Sequence, residues 1–211
     1  YQLVQWVEAN KLKPSKKVEL PRGLYIPIWT FDIGGNIDYT GEVVENKDDG
    51  MGRQQPTVIR INDKYPVFVD DLPIPASRKR ARQVAEIMRG FNLKATQIYN
   101  ARYLSTWPAE VYDVPMGQAS LDARSQAYAA IKRDMPNALS SVNIIHTSSS
   151  SMLIESYKFV LVPVWMTELS LEDGEIHVLI NGQSGDVTSD FPKRSASGSG
   201  FMDWLSDLLD D

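Results

Sequence analysis

Two runs, LYIPIWTFDIGGNIDYTGE at residues 24–42 and FVLVPVWMTELSLEDGE at 159–175, place a proline two residues before a tryptophan inside β-patterned sequence. Side chains alternate along a strand, so Tyr25, Pro27, Trp29 and Phe31 share one face of the first run and Ile26 and Ile28 the other. Both faces are apolar, which predicts a strand covered on both sides. Proline cannot donate to a sheet ladder, so a covered strand carrying Pro27 or Pro163 is expected to bulge or switch sheets there. The repetition predicts two related β units whose tryptophans, Trp29 and Trp165, act as core anchors, since large aromatics dominate core energetics. A ligand or partner pocket around Trp29, Asp32 and Trp165 is the competing reading.

The remaining elements follow from periodicity and punctuation. YQLVQWVEANKLKP sets Leu3, Trp6 and Val7 at helical spacing and closes at Pro14. DIGGNID reads as a turn, YTGEVV as its returning strand, and NKDDGMGRQQP as a polar loop tip. TVIRI reads as a strand, and TWPAEVYDVPMG as a strand followed by a connection. Ser77 is the expected cap of a helix through RKRARQVAEIMRGF with Ala81, Val84, Ala85 and Met88 inward. Ser120 is the expected cap of a second helix, SLDARSQAYAAIKRDM, with Leu121, Tyr128, Ile131 and Met135 on one side. From VNIIHT onward the chain is mostly β, and Asp173-Gly174 and Asn181-Gly182 are tight-hairpin signals. The predicted fold class is α+β, with antiparallel hairpins from two related β units and two or three helices packed on them. Residues 1–190 are expected to form one compact unit with an internal boundary near 90–100. Residues 191–200 read as a flexible linker and 201–211 as an acidic amphipathic tail.

The order W…NKLKP…LPRGLYIPIWTFDI…YTGE, then DDLPIPASR, YKFVLVPVW and VLINGQSGDV resembles a group of bacterial zinc-ribbon proteins often labelled primosomal helicase relatives. The resemblance runs from Trp6 to Val187. It implies a four-cysteine zinc ribbon ahead of this region, and transmembrane helices behind it in many members. It also implies a setting of membrane stress and phage-shock-like proteins, and it carries no catalytic residues. The chain shown has neither ribbon nor spans, so it is expected to be part of a longer polypeptide, with any membrane attachment made through a partner.

Chemistry is sparse. There is no cysteine, which removes disulfides and thiolate-ligated zinc from this stretch and fits a reducing compartment. His146 and His177 are the only histidines, too few for a histidine-rich metal site. No cofactor or metal is expected within these residues, although zinc would belong to the ribbon. A net charge of -5 argues against general nucleic-acid binding. No phosphate-cradling G-x-x-x-x-G-K-[ST] loop is present, NGQSGD lacks the spacing of a nucleophile elbow, and HTSSSS reads as a loop. Asp70 and Asp71 are adjacent on extended chain and point apart, a poor acid/base pair, while Asp32 reads as a carboxylate accepting backbone N–H bonds.

Two features point to partners instead. Arg78, Lys79, Arg80 and Arg82 open a helix, where positive charge opposes the dipole and invites an anionic partner. The acidic tail is one candidate, in cis or from a second copy. In that tail Phe201, Trp204, Leu205 and Leu208 fall at i, i+3, i+4 and i+7 opposite Asp203, Asp207, Asp210 and Asp211, the pattern of a helix laid in a protein groove. The leading expectation is a non-enzymatic cytoplasmic adaptor that recruits a protein through this tail, with Arg78 and Arg82 as further contacts. A small-ligand or enzymatic module, and nucleic-acid binding through the missing ribbon, are the alternatives.

Overall fold

Strand β1 (Arg22–Asp48) is 27 residues long and passes straight through DIGGNID, where the sequence predicts a reversal. The computed structural model describes residues 1–190 apart from 49, 51 and 173. Gly34 and Gly35 are why the strand continues. Gly35 has φ +96°, and a Cβ there would lie 2.2 Å from the Ser151 carbonyl oxygen, while a Cβ on Gly34 would collide with the Glu155 carboxylate. Asn36 N donates to that same Ser151 carbonyl at 3.1 Å, and Val67 N to Gly35 O at 3.0 Å. The glycines thus admit a close backbone crossing without turning the chain. The hairpin closes further on, around the expected loop tip. There β2 (Gln54–Pro66) runs antiparallel to β1 from Asp48↔Gln54 to Asn36↔Pro66.

The other elements are α1 (Gln2–Ala9), β3 (Val69–Pro75), α2 (Ala81–Ile87), α3 (Met116–Ala138), β4 (Asn143–Ser148), β5 (Met152–Leu171), β6 (Gly174–Asn181) and β7 (Val187–Ser189). The strand order is β2-β1-β5-β6-β7, with β3 and β4 also pairing with β1. The fold is α+β, its sheet mostly antiparallel hairpins with helices packed against them.

Two compact units emerge, and they interleave in sequence instead of dividing near 90–100. The first takes Tyr1–Thr30, Pro73–Ala119 and the described chain from Lys158 on, and the second Phe31–Leu72 and Ser120–Tyr157. The reason is that β1 and β5 each contribute one end to each unit. The expected linker and tail, 191–211, lie outside the described residues.

In the first unit Ile26, Ile28, Val162, Val164 and Leu179 pack with Val84, Ile87, Met88 and Phe91 of the α2 region. A second cluster joins Leu169, Ile176 and Val178 to Leu3, Trp6 and Val7, the predicted stripe of α1. Helix α2 begins at Ala81 with Arg80 as its N-terminal flank, so Ser77 is not its cap. Ser77 is instead buried, at 2% exposure.

In the second unit Phe31, Ile33, Ile37, Leu72 and Met152 are fully buried. Helix α3 starts at Met116, four residues before Ser120, which is therefore interior to the helix and not its cap. Its buried stripe is Ala119, Ala123, Ala127, Ala130, Ile131 and Met135, and Leu121 faces solvent. Small side chains let a helix lie close to its neighbours, and α3 is fastened to the β4 region by Tyr128 Oη with the Thr147 hydroxyl (2.7 Å) and Arg124 Nη2 to Ser149 O (2.8 Å). Among the described residues no helix is long and apolar enough to cross a membrane.

Replacing Gly35 by alanine forces a Cβ onto a carbonyl at positive φ. The expected result is a loss of about 2 kcal/mol, read as a lower urea midpoint at unchanged slope.

Candidate functional site

Alternation decides what the first unit shows to solvent. Burying Ile26, Ile28, Val162 and Val164 sends Tyr25, Pro27 and Trp29 of β1, and Phe159 and Trp165 of β5, to the opposite face. There Trp29 meets Phe159 with ring centroids 4.7 Å apart, and Tyr112 meets both, at 6.3 Å and 5.4 Å. Trp165 meets Trp107 at 4.6 Å, and Trp107 meets Tyr25 at 5.6 Å. Pairs at these separations are in aromatic contact.

The face is only partly covered. Trp165 is 39% exposed, Phe159 44% and Tyr112 53%. Trp165 is therefore not the core anchor expected of it, and Trp29 is half-buried; the fully buried anchors are the aliphatic rows behind them, which the α2 region covers. Pro27 precedes the stretch of β1 paired with β2, which begins at Asn36, and Pro163 lies just past the last β5–β6 pair, Val164↔Asn181. A register shift in the β1–β4 pairing falls at Thr40/Gly41.

Residues 92–114 form the partial cover. TWPAEVYDVPMG makes no regular strand but a single parallel bridge, Tyr25↔Ala109, with Tyr25 N donating to Pro108 O and Glu110 N to Tyr25 O, both at 2.9 Å. Trp29 Nε1 donates to Val114 O at 2.9 Å. Gly23 makes room for Trp107, whose ring would lie 2.1 Å from a Cβ at that position. Arg80 and Glu110 close the arrangement with a 2.7 Å ion pair whose side chains are 9% and 13% exposed. Further apolar side chains of this segment face water, among them Ile98, Tyr99 and Val111.

Beside α2 lies a cleft of about 360 Å³ lined by Arg78, Lys79, Arg80, Ala81, Arg82, Gln83, His177, Ser189 and Asp190. The structure thus brings Arg78 and Arg82 together. Its walls are held by hydrogen bonds: Arg78 N donates to Asp113 Oδ1 (2.8 Å) and Gln83 Nε2 to His177 O (3.0 Å). His177 Nδ1 sits 2.9 Å from Asp190 Oδ2.

Asp32 belongs to the second unit, whereas Trp29 and Trp165 belong to the first. Asp32 Oδ1 accepts from Asp71 N at 2.9 Å, and its other oxygen accepts from the Ser156 hydroxyl. Asp71, at φ +50°, is turned so that one carboxylate oxygen each of Asp32, Asp70 and Asp71 lies within 4.8 Å of the others. Oxygen trios of this kind suit hard cations; here Asp32 already receives two protein donors, which accounts for its position. Adjacent residues on a regular strand could not converge in this way, so only the backbone twist at Asp71 reveals the grouping.

NGQSGD is a turn, with Asn181 Oδ1 accepting from Gln183 N (2.7 Å) and Ser184 N (3.0 Å). The serine run is likewise structural, since Ser151 Oγ donates to Asp38 Oδ2 at 2.6 Å. His146 lines a cleft of about 230 Å³ with Asp38, Tyr39, Asp63 and Lys64. Burial first, and Asp63 second, raise the Tyr39 phenol above its ordinary value.

In sequence the chain is similar to "Uncharacterized protein YdjG" of Bacillus subtilis (strain 168), 23% identical over 208 residues, covering 89% of this chain and 58% of that protein. The chain therefore spans less than two thirds of the relative's length. No protein-family model matches it. No solved structure matches it either.

Arg80→Ala leaves the nearly buried Glu110 carboxylate without its ion-pair partner. Chemical unfolding should show a loss of about 3 kcal/mol, with changed tryptophan fluorescence as Trp107 loosens. For Tyr39, a raised folded value means its contribution is present below the unfolded tyrosine value of about 10 and is lost as pH rises beyond it. Urea midpoints should fall above that pH in the native chain and fall less in Tyr39→Phe.

Proposed function

We propose that this chain is a non-enzymatic adaptor that recruits a protein partner, and that the aromatic face of its first unit is the principal docking surface. One observation carries the reading. Tyr112, Phe159 and Trp165 stand in ordered aromatic contacts on a pinned backbone, yet each is more than a third exposed, and Val111, next to Tyr112, and Ile98, earlier in the same segment, are 82% and 94% exposed. Aromatics held rigid and left wet are the composition of an interface centre, where few rotamers have to be immobilised on binding. The matching partner is a protein segment presenting aliphatic side chains, long enough to cover the face from Phe159 to Trp165.

The acidic segment 201–211, through Phe201, Trp204, Leu205 and Leu208, is a second contact in this reading. Its charge pattern favours a protein groove over an anionic membrane surface. A cytoplasmic adaptor reaching the membrane only through its partner is consistent with this arrangement.

The test places a photo-crosslinking amino acid at Tyr112, with a control at exposed Val44, and identifies the captured partner. Loss of an interface hot spot costs about 2 kcal/mol, so Phe159→Ser should weaken the purified partner's binding by about thirtyfold while the thermal midpoint holds. Unchanged binding with the fold intact would remove the aromatic face from the account.

A further inference from the structure

The basic cleft beside α2 has no role in the reading above. Of its cations, Arg80 is committed to Glu110, while Arg78, Lys79 and Arg82 are exposed and have no acidic side chain in ion-pair reach among the described residues. The cleft's own carboxylate, Asp190, faces His177. Three positive charges without an ion-pair partner therefore share with one carboxylate, Asp190, a concavity of about 360 Å³, in a chain whose net charge is -5. Like charges held together are mutually unfavourable, and an anionic occupant relieves them.

The chain supplies such an occupant. Residues 201–211 contain Asp203, Asp207, Asp210 and Asp211 and no lysine or arginine. Asp190, the last described residue, is itself a wall of the cleft. Asp203 lies thirteen residues beyond it in sequence, a separation that a random-coil chain spans with a root-mean-square reach of about 20 Å. Attachment at the rim with a tether of that reach gives an effective concentration on the order of millimolar, far above what free copies attain.

We propose that the cleft formed by Arg78, Lys79 and Arg82 docks the acidic 201–211 segment of its own chain, holding it in reserve in the free protein. The inference builds on the preceding reading only in treating 201–211 as a functional contact. Capture places Asp203 and Asp207 on the guanidinium groups of Arg78 and Arg82, bonds whose planar donors match carboxylates. It also occupies Phe201 and Trp204 until a partner competes for them, so recruitment and self-capture are mutually exclusive.

These 211 residues contain no cysteine, so a single introduced one places the label without ambiguity. A spin label on Ser206→Cys in the full chain should broaden the amide resonances of residues 78–83 more than fivefold at 50 mM salt, and lose most of that effect at 500 mM, where the Debye length is several-fold less than the tether's reach. Arg78→Asp with Arg82→Asp should abolish the broadening, and adding Asp203→Lys with Asp207→Lys should restore it. The effect should be the same at 20 µM and 400 µM protein. Broadening that grows with concentration assigns the occupant to a second copy and overturns capture in cis. Broadening at Tyr112 and Phe159, or nowhere, overturns the cleft as the dock. None of these readings needs a partner, so failure here leaves the aromatic-face reading standing, and failure of that reading leaves this one intact.

Discussion

Ile26 and Ile28 of β1 and Val162 and Val164 of β5 are packed against Val84, Ile87 and Met88 with almost no water access, and the first unit depends on this contact. Strand side chains alternate, so sealing the aliphatic rows under the α2 region leaves the aromatic rows no choice of side. Tyr25, Trp29, Phe159 and Trp165 must then find cover elsewhere, and among the described residues that cover comes from the irregular 92–114 segment. That segment brings Trp107 and Tyr112 of its own and does not reach far enough to bury all of them. A half-exposed aromatic face is thus the direct consequence of where the helix sits.

The cover is held by few interactions, each with a clear physical cause. A parallel bridge to Tyr25 satisfies backbone groups that an irregular strand would otherwise leave unpaired. The Arg80–Glu110 pair is nearly buried, so its value lies as much in geometry as in energy: Glu110 Oε2 has no hydrogen-bond partner among the described residues. The same arginine run serves two ends. Arg80 turns inward to pin the aromatic segment, and Arg78, Lys79 and Arg82 remain outside to charge the neighbouring cleft. One short stretch therefore links the apolar surface and the basic one.

Much of the architecture was legible. The strand-rich α+β class, the stripe of α1, the helical character of 81–87 and 120–135, and the antiparallel pairing of β5 with β6 from Leu171↔Gly174 all follow from local periodicity and turn chemistry. DIGGNID was misread because a glycine pair signals freedom, not direction: the same residues permit a turn or a close crossing, and the Ser151 carbonyl selected the crossing. Ser120 and Ser77 misled for a related reason, since a potential cap is used only if the helix starts there, and tertiary packing set both starts. Arg78 and Arg82 were legible as a cluster because they are neighbours in sequence. The aromatic array was not, since Trp107 and Tyr112 reach Trp165 and Phe159 through the fold alone.

What the amino-acid order determined by itself is the alternation: two long strands, each with an aliphatic and an aromatic row, and a proline in each row that carries the tryptophan. Such patterns are local and survive whatever the chain later packs against. Which row becomes interior was decided only in three dimensions, because both are apolar and a helix can cover just one. The interleaving of the two units has the same origin, for β1 and β5 are longer than either unit needs, and strands of that length must be shared.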